Sequence, residues 1–289
     1  MKEKICDLHT HSTFSDGTYT PEKLVKEAVK QGLSAIALTD HNTVSGLTEF
    51  VAAAQGFNIE CVRGIEFSTD YCGTELHIVG LFLKERFYEQ ISDYISFNKK
   101  SKELSNLKTI ERLRAAGFSV DYEKIKANAG KAYVNRVQIA EALKKEGYVS
   151  SIKEAFSTLL SEKNGFYIPA EKVSALKTIS FLNDIGAVSV LAHPLLNLDT
   201  NGLIRFLQDA KNVRLDAIET EYTEYDDAAK KFSRDVVSEY SLLQSGGSDF
   251  HGANKPDVNL GFGKGTLKVP YNFYVSLKNR ADEKSSAFS

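Results

Sequence analysis

Each of the six histidines in this chain lies in a short motif that also carries carboxylates or glycines. They are His9 and His11 in DLHTHSTFSDG, His41 in LTDHNTVSG, His77 in ELHIVG, His193 in VLAHP and His251 in GSDFHG. None is left for an ordinary core or surface role. A single such histidine is usually structural, but that explanation fits six together poorly. Neutral imidazole and carboxylate side by side suit Zn, Mn and Fe. The spacing of the motifs along the chain then limits the fold, because residues so far apart must be gathered at one place.

The surrounding pattern shows how. ICDL reads as a first strand. A helix follows, with Thr20 suited to cap it, Pro21 at its first position, Leu24, Val25, Ala28 and Val29 on one apolar face and Gly32 at its end. AIALT is a second buried strand, and a second helix carries Val44, Leu47, Phe50, Val51 and Ala54 towards Gly56. IECVRGIEF and ELHIVGLFL are two more strands. Residues 87–165 read as helical throughout, with apolar residues at helical spacing around Leu104, Leu107 and Leu113 and again around Val137, Ile139 and Leu143. The alternation then resumes: a helix over 174–185 ended by Gly186, the strand AVSVLA, a helix capped by Asn201, the strand LDAIE, and a helix over 226–240 leading into LLQSGGSDFH. Strand–helix alternation implies a mostly parallel sheet. The simplest architecture is one α/β barrel-like domain, residues 1–86 with 166–289, interrupted by a helical insertion over 87–165.

In such a barrel the C-terminal rim is where reactive groups converge. His9 and His11 follow the first strand, Asp40 and His41 the second, and Glu66 ends the third. His193 follows VSVLA, and Asp249 and His251 follow LLQSGG. His77 stands near the start of its strand and is the exception. Residues two apart in an extended segment point the same way, so His9 and His11 can grip one ion, as can Asp249 and His251. Gly246, Gly247 and Gly252 permit tight turns around the second pair.

Bulk properties exclude several classes. A net charge of −2 and a pI near 6.3 argue against nucleic-acid binding by the chain's overall charge. Cys6, Cys61 and Cys72 form no CxxC pair, which suits a reducing compartment. No segment has signal-peptide or membrane-span character, so a cytoplasmic protein is expected. Residues 99–163 hold 14 Lys/Arg and 8 Asp/Glu, an excess of six positive charges that leaves the remainder at −8.

The fragments HTH-x4-DG, LTDHNT, GIEFS, ELHIVG, LAHP and GSDFH, in this order, resemble the PHP (polymerase and histidinol phosphatase) superfamily of metal-dependent phosphoesterases. More closely, they resemble its branch with a helical insertion acting on 3′,5′-bisphosphonucleotides or short RNA. The resemblance implies a distorted (β/α)7 barrel with an insertion or cap. It also implies three divalent ions (Mn, Fe or Zn) held by His9, His11, Asp16, His41, Glu66, His77, His193, Asp249 and His251. One ion would take His9, His11, Glu66 and Asp249. Glu66 would bridge to a second, completed by His77 and His193, and Asp16, His41 and His251 would hold the third. Asp40 is expected behind them, orienting His41 or another ligand.

The chemistry so implied is attack by a metal-bound hydroxide, with no protein nucleophile. Ser12, Ser15 and Ser248 are then turn and hydrogen-bonding residues. The basic insertion is expected to bind substrate phosphate, through Arg136 foremost and through Asn135 and Lys131, since arginine chelates phosphate bidentately. Relatives carry a histidine-containing stretch after the strand ending near Glu219. This chain has ETEYTEYDD instead, leaving Glu219, Glu221 or Tyr222 to contact substrate. The expected substrate is a small nucleotide phosphate or short RNA, with no membrane and no obligate protein partner. The alternatives are a histidinol-phosphate phosphatase and a non-catalytic metal-binding module.

Overall fold

The computed structural model describes residues 4–129, 134–163 and 165–286. These divide into two compact units, Met1–Tyr94 with Val173–Ser289, and Ile95–Lys172.

The larger unit begins with the expected alternation: β1 (Ile5–Asp7), α1 (Pro21–Gln31), β2 (Ala35–Leu38), α2 (Leu47–Ala53), β3 (Glu60–Tyr71) and β4 (Thr74–Leu81). The Thr20 hydroxyl accepts from the Lys23 N–H and Gly32 closes α1 at φ 79°. After α3 (Tyr88–Ala115), α4 (Tyr122–Ala129), α5 (Arg136–Lys145) and α6 (Ile152–Ser157), this unit resumes with β5 (Val173–Ser174), α7 (Ala175–Asp184), β6 (Val188–Ala192) and α8 (Thr200–Ala210). It ends with β7 (Ala217–Tyr222), α9 (Asp227–Glu239), β8 (Leu243–Gly247), β9 (Val269–Pro270) and α10 (Tyr271–Ser286). Asp199, not Asn201, caps α8: extended at φ −74°, its carboxylate accepts from the Gly202 N–H at 2.7 Å, whereas Asn201 lies inside the first turn.

The strands run in the order β8-β7-β6-β4-β3-β2-β1-β9, with β5 added to β3. Bonds from the Leu8 N–H to the Gly246 carbonyl (3.1 Å) and from the Asp249 N–H to the His9 carbonyl (2.9 Å), with a parallel bridge between Thr10 and Phe250, draw β1 and β8 together. Seven strands thus ring a core of alternating residues that includes Cys6, Leu8, Ala35, Ala37, Val79, Val188, Val190 and Ala217, against which α10 packs Phe273, Tyr274 and Leu277. The sheet is less parallel than the alternation implied. β4 pairs antiparallel with both β3 and β6. A two-residue turn at Cys72 (φ 51°) and Gly73 (φ 81°) joins β3 to β4, and only a hairpin, not a helical crossover, fits so short a link.

The smaller unit is helical among its described residues. Its core includes Ile110, Leu113, Tyr122, Ile125, Ile139, Leu143 and Leu160. Leu104, Leu107 and Val137, which share the apolar periodicity, are about half exposed instead.

Candidate metal centre

The reversed β4 accounts for His77. Because β4 runs against its neighbours, the start of this strand lies at the rim where the others end. His77 pairs in register with Ser68 on one side and Ala192, next to His193, on the other. All nine side chains expected at the centre therefore reach one rim. Glu66 lies among five imidazoles. Its Oε2 is 3.2 Å from His9 Nε2, 3.3 Å from His11 Nε2 and 3.0 Å from His41 Nδ1. Its Oε1 is 2.7 Å from His77 Nδ1 and 3.1 Å from His193 Nε2. Asp249 Oδ1 lies 3.2 Å from His11 Nε2 and 3.4 Å from His251 Nδ1, and Asp16 Oδ1 lies 3.2 Å from His251 Nε2.

The donor atoms fall into four overlapping groups, each within 4.8 Å: His11, Asp16, His41 and His251; His9, Glu66 and His193; His9, His11 and Asp249; and His41, Glu66 and His77. His41 thus lies beside Glu66 and His77 as well as Asp16. Many of these atoms are buried without a hydrogen bond: His9 Nε2, both ring nitrogens of His11, His41 Nδ1, His77 Nδ1, His193 Nδ1, Asp16 Oδ1 and Glu66 Oε2. Burying so many unsatisfied lone pairs is costly unless a cation meets them. The donor set, imidazole and carboxylate converging on shared points, fits divalent metal ions.

Without metal, the buried carboxylates draw protons onto several of these rings, positive charge that a bound cation would replace. Burial opposes charge on His9, yet Glu66, Glu219 and Asp249 outweigh it and raise its pKa well above the ordinary value. The same contest leaves His11 at about 9, through Asp249 and Glu66, and His77 at about 10, through Glu66 and Glu75. Burial wins at His41, which falls to about 4. Glu66 and Asp249 are held well below the carboxylate range because the surrounding histidines outweigh their burial.

The backbone is bent to make the arrangement. Asp249 (φ 55°) and His193 (φ 28°) occupy the left-handed region, which costs a non-glycine residue about 1–3 kcal/mol and recurs where a site demands it. A Cβ at Gly247 would collide with the Cβ and backbone nitrogen of His9, so glycine is required where β8 passes β1.

A shell of polar residues supports the rim. Asp40 is buried and accepts from the Ser12 N–H (2.7 Å), the Ser12 hydroxyl (2.6 Å) and the Ser15 hydroxyl (2.6 Å). It therefore fixes the loop between His11 and Asp16, and these bonds go to no histidine ring. Asp7 does the same for the other side, accepting from the Ser248 N–H and hydroxyl and from the Gly261 N–H. Asp7 escaped the sequence reading, although it shares the alternation of His9 and His11.

The ETEYTEYDD stretch divides its work at a bulge. Glu219 is buried; its Oε1 lies 2.8 Å from His9 Nδ1 and its Oε2 accepts from the His193 N–H at 2.7 Å. Register shifts between Glu219 and Glu221, which breaks the two-residue alternation. Glu221 then pairs with Lys230 (3.1 Å) and Arg234 (2.8 Å), while the Tyr222 hydroxyl donates to Asp249 Oδ2 at 2.9 Å. Lys255 Nζ, also missed in the sequence, lies 2.6 Å from the same oxygen.

In the helical unit, Asn135 is the N-cap of α5: its side chain accepts from the Val137 and Gln138 N–H groups, and Gln138 completes a capping box. The Arg136 guanidinium pairs with Glu162 at 2.8 Å and lies 4.7 Å and 4.4 Å from the ring centres of Phe156 and Tyr167. Lys131 lies outside the described residues.

A rim of clustered imidazoles and carboxylates on an α/β barrel defines a metal-dependent hydrolase, and its similarity to known proteins narrows it to the phosphoester hydrolases. The PHP domain profile matches residues 7–168, and the chain belongs to that family. It is 32% identical over 247 residues to a 5′-3′ exoribonuclease of Haemophilus influenzae, covering 85% of this chain and 89% of that one. A phosphoribosyl 1,2-cyclic phosphate 1,2-diphosphodiesterase of Eggerthella lenta is 30% identical over 263 residues, covering 89% and 97%. A solved Bifidobacterium adolescentis structure, assigned to the metal-dependent phosphoesterases, superposes with a TM-score of 0.82 at 25% identity over 96% of both chains. No helix among the described residues is long and apolar enough to cross a membrane.

Proposed function

We propose that this chain hydrolyses phosphate esters of nucleotides, acting on short 5′-phosphorylated RNA or 3′,5′-bisphosphonucleotides. The observation that carries the reading is the placement of Glu66, whose two oxygens face different sets of imidazoles. Glu66 would be shared between ions, one held with His9, His11 and Asp249 and another with His77 and His193, and the observed donor groups also set His193 beside His9 and His41 beside His77. Asp16, His41 and His251, with His11 beside them, would hold a third, with Mn, Fe or Zn as the ion. Bound there, divalent ions supply Lewis-acid polarisation of a phosphoryl oxygen and a readily ionised water.

The chain's own residues supply position. Glu219 orients the His9 ring, and Asp40 and Asp7 hold the loops that carry Asp16 and Asp249. Arg136 is the insertion's phosphate contact in this reading. The positive insertion and the exoribonuclease relative both support a substrate with more than one phosphate. Three free cysteines suit a cytoplasmic protein, and no protein partner is needed.

The test is a panel assayed with Mn²⁺: short 5′-phosphorylated RNA, a 3′,5′-bisphosphonucleotide, a ribose 1,2-cyclic phosphate, a nucleoside monophosphate and histidinol phosphate. The expected outcome is the highest kcat/KM on the first two, because a remote phosphate positions the scissile one. A highest kcat/KM on histidinol phosphate or on the cyclic phosphate overturns the substrate assignment.

A further inference from the structure

We propose that Lys255 is a phosphate-anchoring residue of this centre, its ammonium binding a non-bridging oxygen of the phosphoryl group undergoing hydrolysis. The proposal rests on the phosphoester-hydrolase reading above.

The argument begins with the two faces of Asp249. Oδ1 is turned to the imidazoles, 3.2 Å from His11 Nε2, 3.4 Å from His251 Nδ1 and 3.7 Å from His9 Nε2. Oδ2 is turned the other way and accepts from the Tyr222 hydroxyl at 2.9 Å and from Lys255 Nζ at 2.6 Å. An ion held by His9, His11 and Oδ1 would leave both contacts to Oδ2 in place. The ammonium therefore stands across one carboxylate from the imidazole cluster.

The lysine is also held in that position. The turn Gly252–Asn254 precedes it, and the Lys255 N–H closes the turn on the Gly252 carbonyl at 3.1 Å. The Ala253 N–H donates to Thr18 Oγ1 at 2.8 Å and the Asn254 side-chain amide to the Asp16 carbonyl at 2.7 Å. Lys255 thus sits on a turn pinned to the loop that carries Asp16.

Exposure separates a ligand-binding role from a structural one. The Lys255 side chain is 39% exposed and that of Asp249 7%. The ammonium is therefore open to a ligand while its carboxylate partner stays buried. One hydrogen bond to Asp249 leaves the ammonium with two further N–H donors and a full positive charge. A metal centre that must accumulate a phosphoryl dianion gains from such a charge beside the ions.

The experiment compares Lys255→Met, Lys255→Arg and wild type, each loaded with Mn²⁺. Lys264→Met, at a surface lysine paired with Glu224, serves as the control. Metal stoichiometry is measured by elemental analysis, binding of inorganic phosphate by calorimetry, and kcat/KM on the best substrate of the panel. Lys255→Met is expected to keep its metal and its thermal midpoint while phosphate binding and kcat/KM fall about 10- to 150-fold, as for loss of one charge-assisted contact. Lys255→Arg should recover part of both, and Lys264→Met should match wild type. A phosphate affinity within twofold of wild type in Lys255→Met, or a loss of metal in proportion to the loss of binding, overturns the proposal. Phosphate binding reads Lys255 whichever substrate leads the panel, so a wrong substrate assignment and a wrong role for Lys255 give different results.

Discussion

Burial works against ionisation of Glu66, and the charges of His41, His77 and His9 with the nearby His11 ring overcome it. Each of its oxygens serves a different group of rings, so its removal should be felt in two places. Asp16 lies against His251 and, at longer range, His11 and His41, so its removal should be felt in one. Glu66→Ala is accordingly expected to lose more metal than Asp16→Ala after reconstitution with Mn²⁺, by elemental analysis on folded protein. Equal losses would remove Glu66 as a bridge. The same residue-scale logic applies to Glu219, expected with Glu221 or Tyr222 near substrate: a carboxylate near a rim looks the same in sequence whether it meets a ligand or, as here, the back of His9.

Elements decide which side chains reach the rim. β4 brings His77 there because it runs antiparallel, and the bulge in β7 turns Tyr222, not Glu221, to Asp249. In the helical unit, Asn135 caps α5 through two backbone N–H groups. Asn135→Ala is expected to destabilise that unit by about 1 kcal/mol, read as a lower thermal midpoint, with metal content unchanged. Gly247→Ala should act differently. Its methyl would press on His9, so it should lower metal content as well as stability, by about 1–3 kcal/mol in the latter. An alanine at 247 that retains full metal would show that β8 can shift without displacing His9.

At the scale of the whole molecule, nine ionisable side chains packed at one rim couple metal, pH and stability. In the metal-free protein the folded pKa of His11 (about 9) and His77 (about 10) lies above the value near 6.5 of the unfolded chain. Their contribution to stability is complete below about pH 6.5 and is lost as pH rises through 9 to 10. His41, depressed to about 4, acts oppositely, losing stability as pH falls from about 6.5 towards 4. With His9 also raised, the upward-shifted rings dominate above neutrality. The thermal midpoint of chelator-treated protein is therefore expected to fall between pH 7 and 10. Mn²⁺ should raise the midpoint, by mass action on the folded state, and should flatten its pH dependence, because coordinated imidazoles are already unprotonated. A midpoint that rises from pH 7 to 10 without metal would contradict the coupling.

By itself the sequence determined the class of fold, the order of most strands and helices, and the set of side chains gathered at the rim. The fold class and element order follow from short-range rules, alternation in strands and caps such as Thr20 and Gly32, while the full set of rim residues, Asp16 and His77 included, is what the resemblance of the motifs to the PHP family implies. It also placed a helical segment between His77 and His193. Tertiary structure alone decided the direction of β4, the cap of α8 at Asp199, the β7 bulge, and the pairing of Asp7 with Ser248 and of Lys255 with Asp249. The Asp7–Ser248 pair and the β7–β8 register depend on partners far along the chain, whereas the β3–β4 hairpin, the Asp199 cap and the Lys255–Asp249 pair are local choices among several that residue type leaves open. A hydrogen bond between Asp7 and Ser248 spans 241 positions, and no local pattern records which distant donor a buried carboxylate will meet. The same limit hid the exposure of Leu104, Leu107 and Val137, since periodicity reports that a helix has an apolar side but not whether another element covers it.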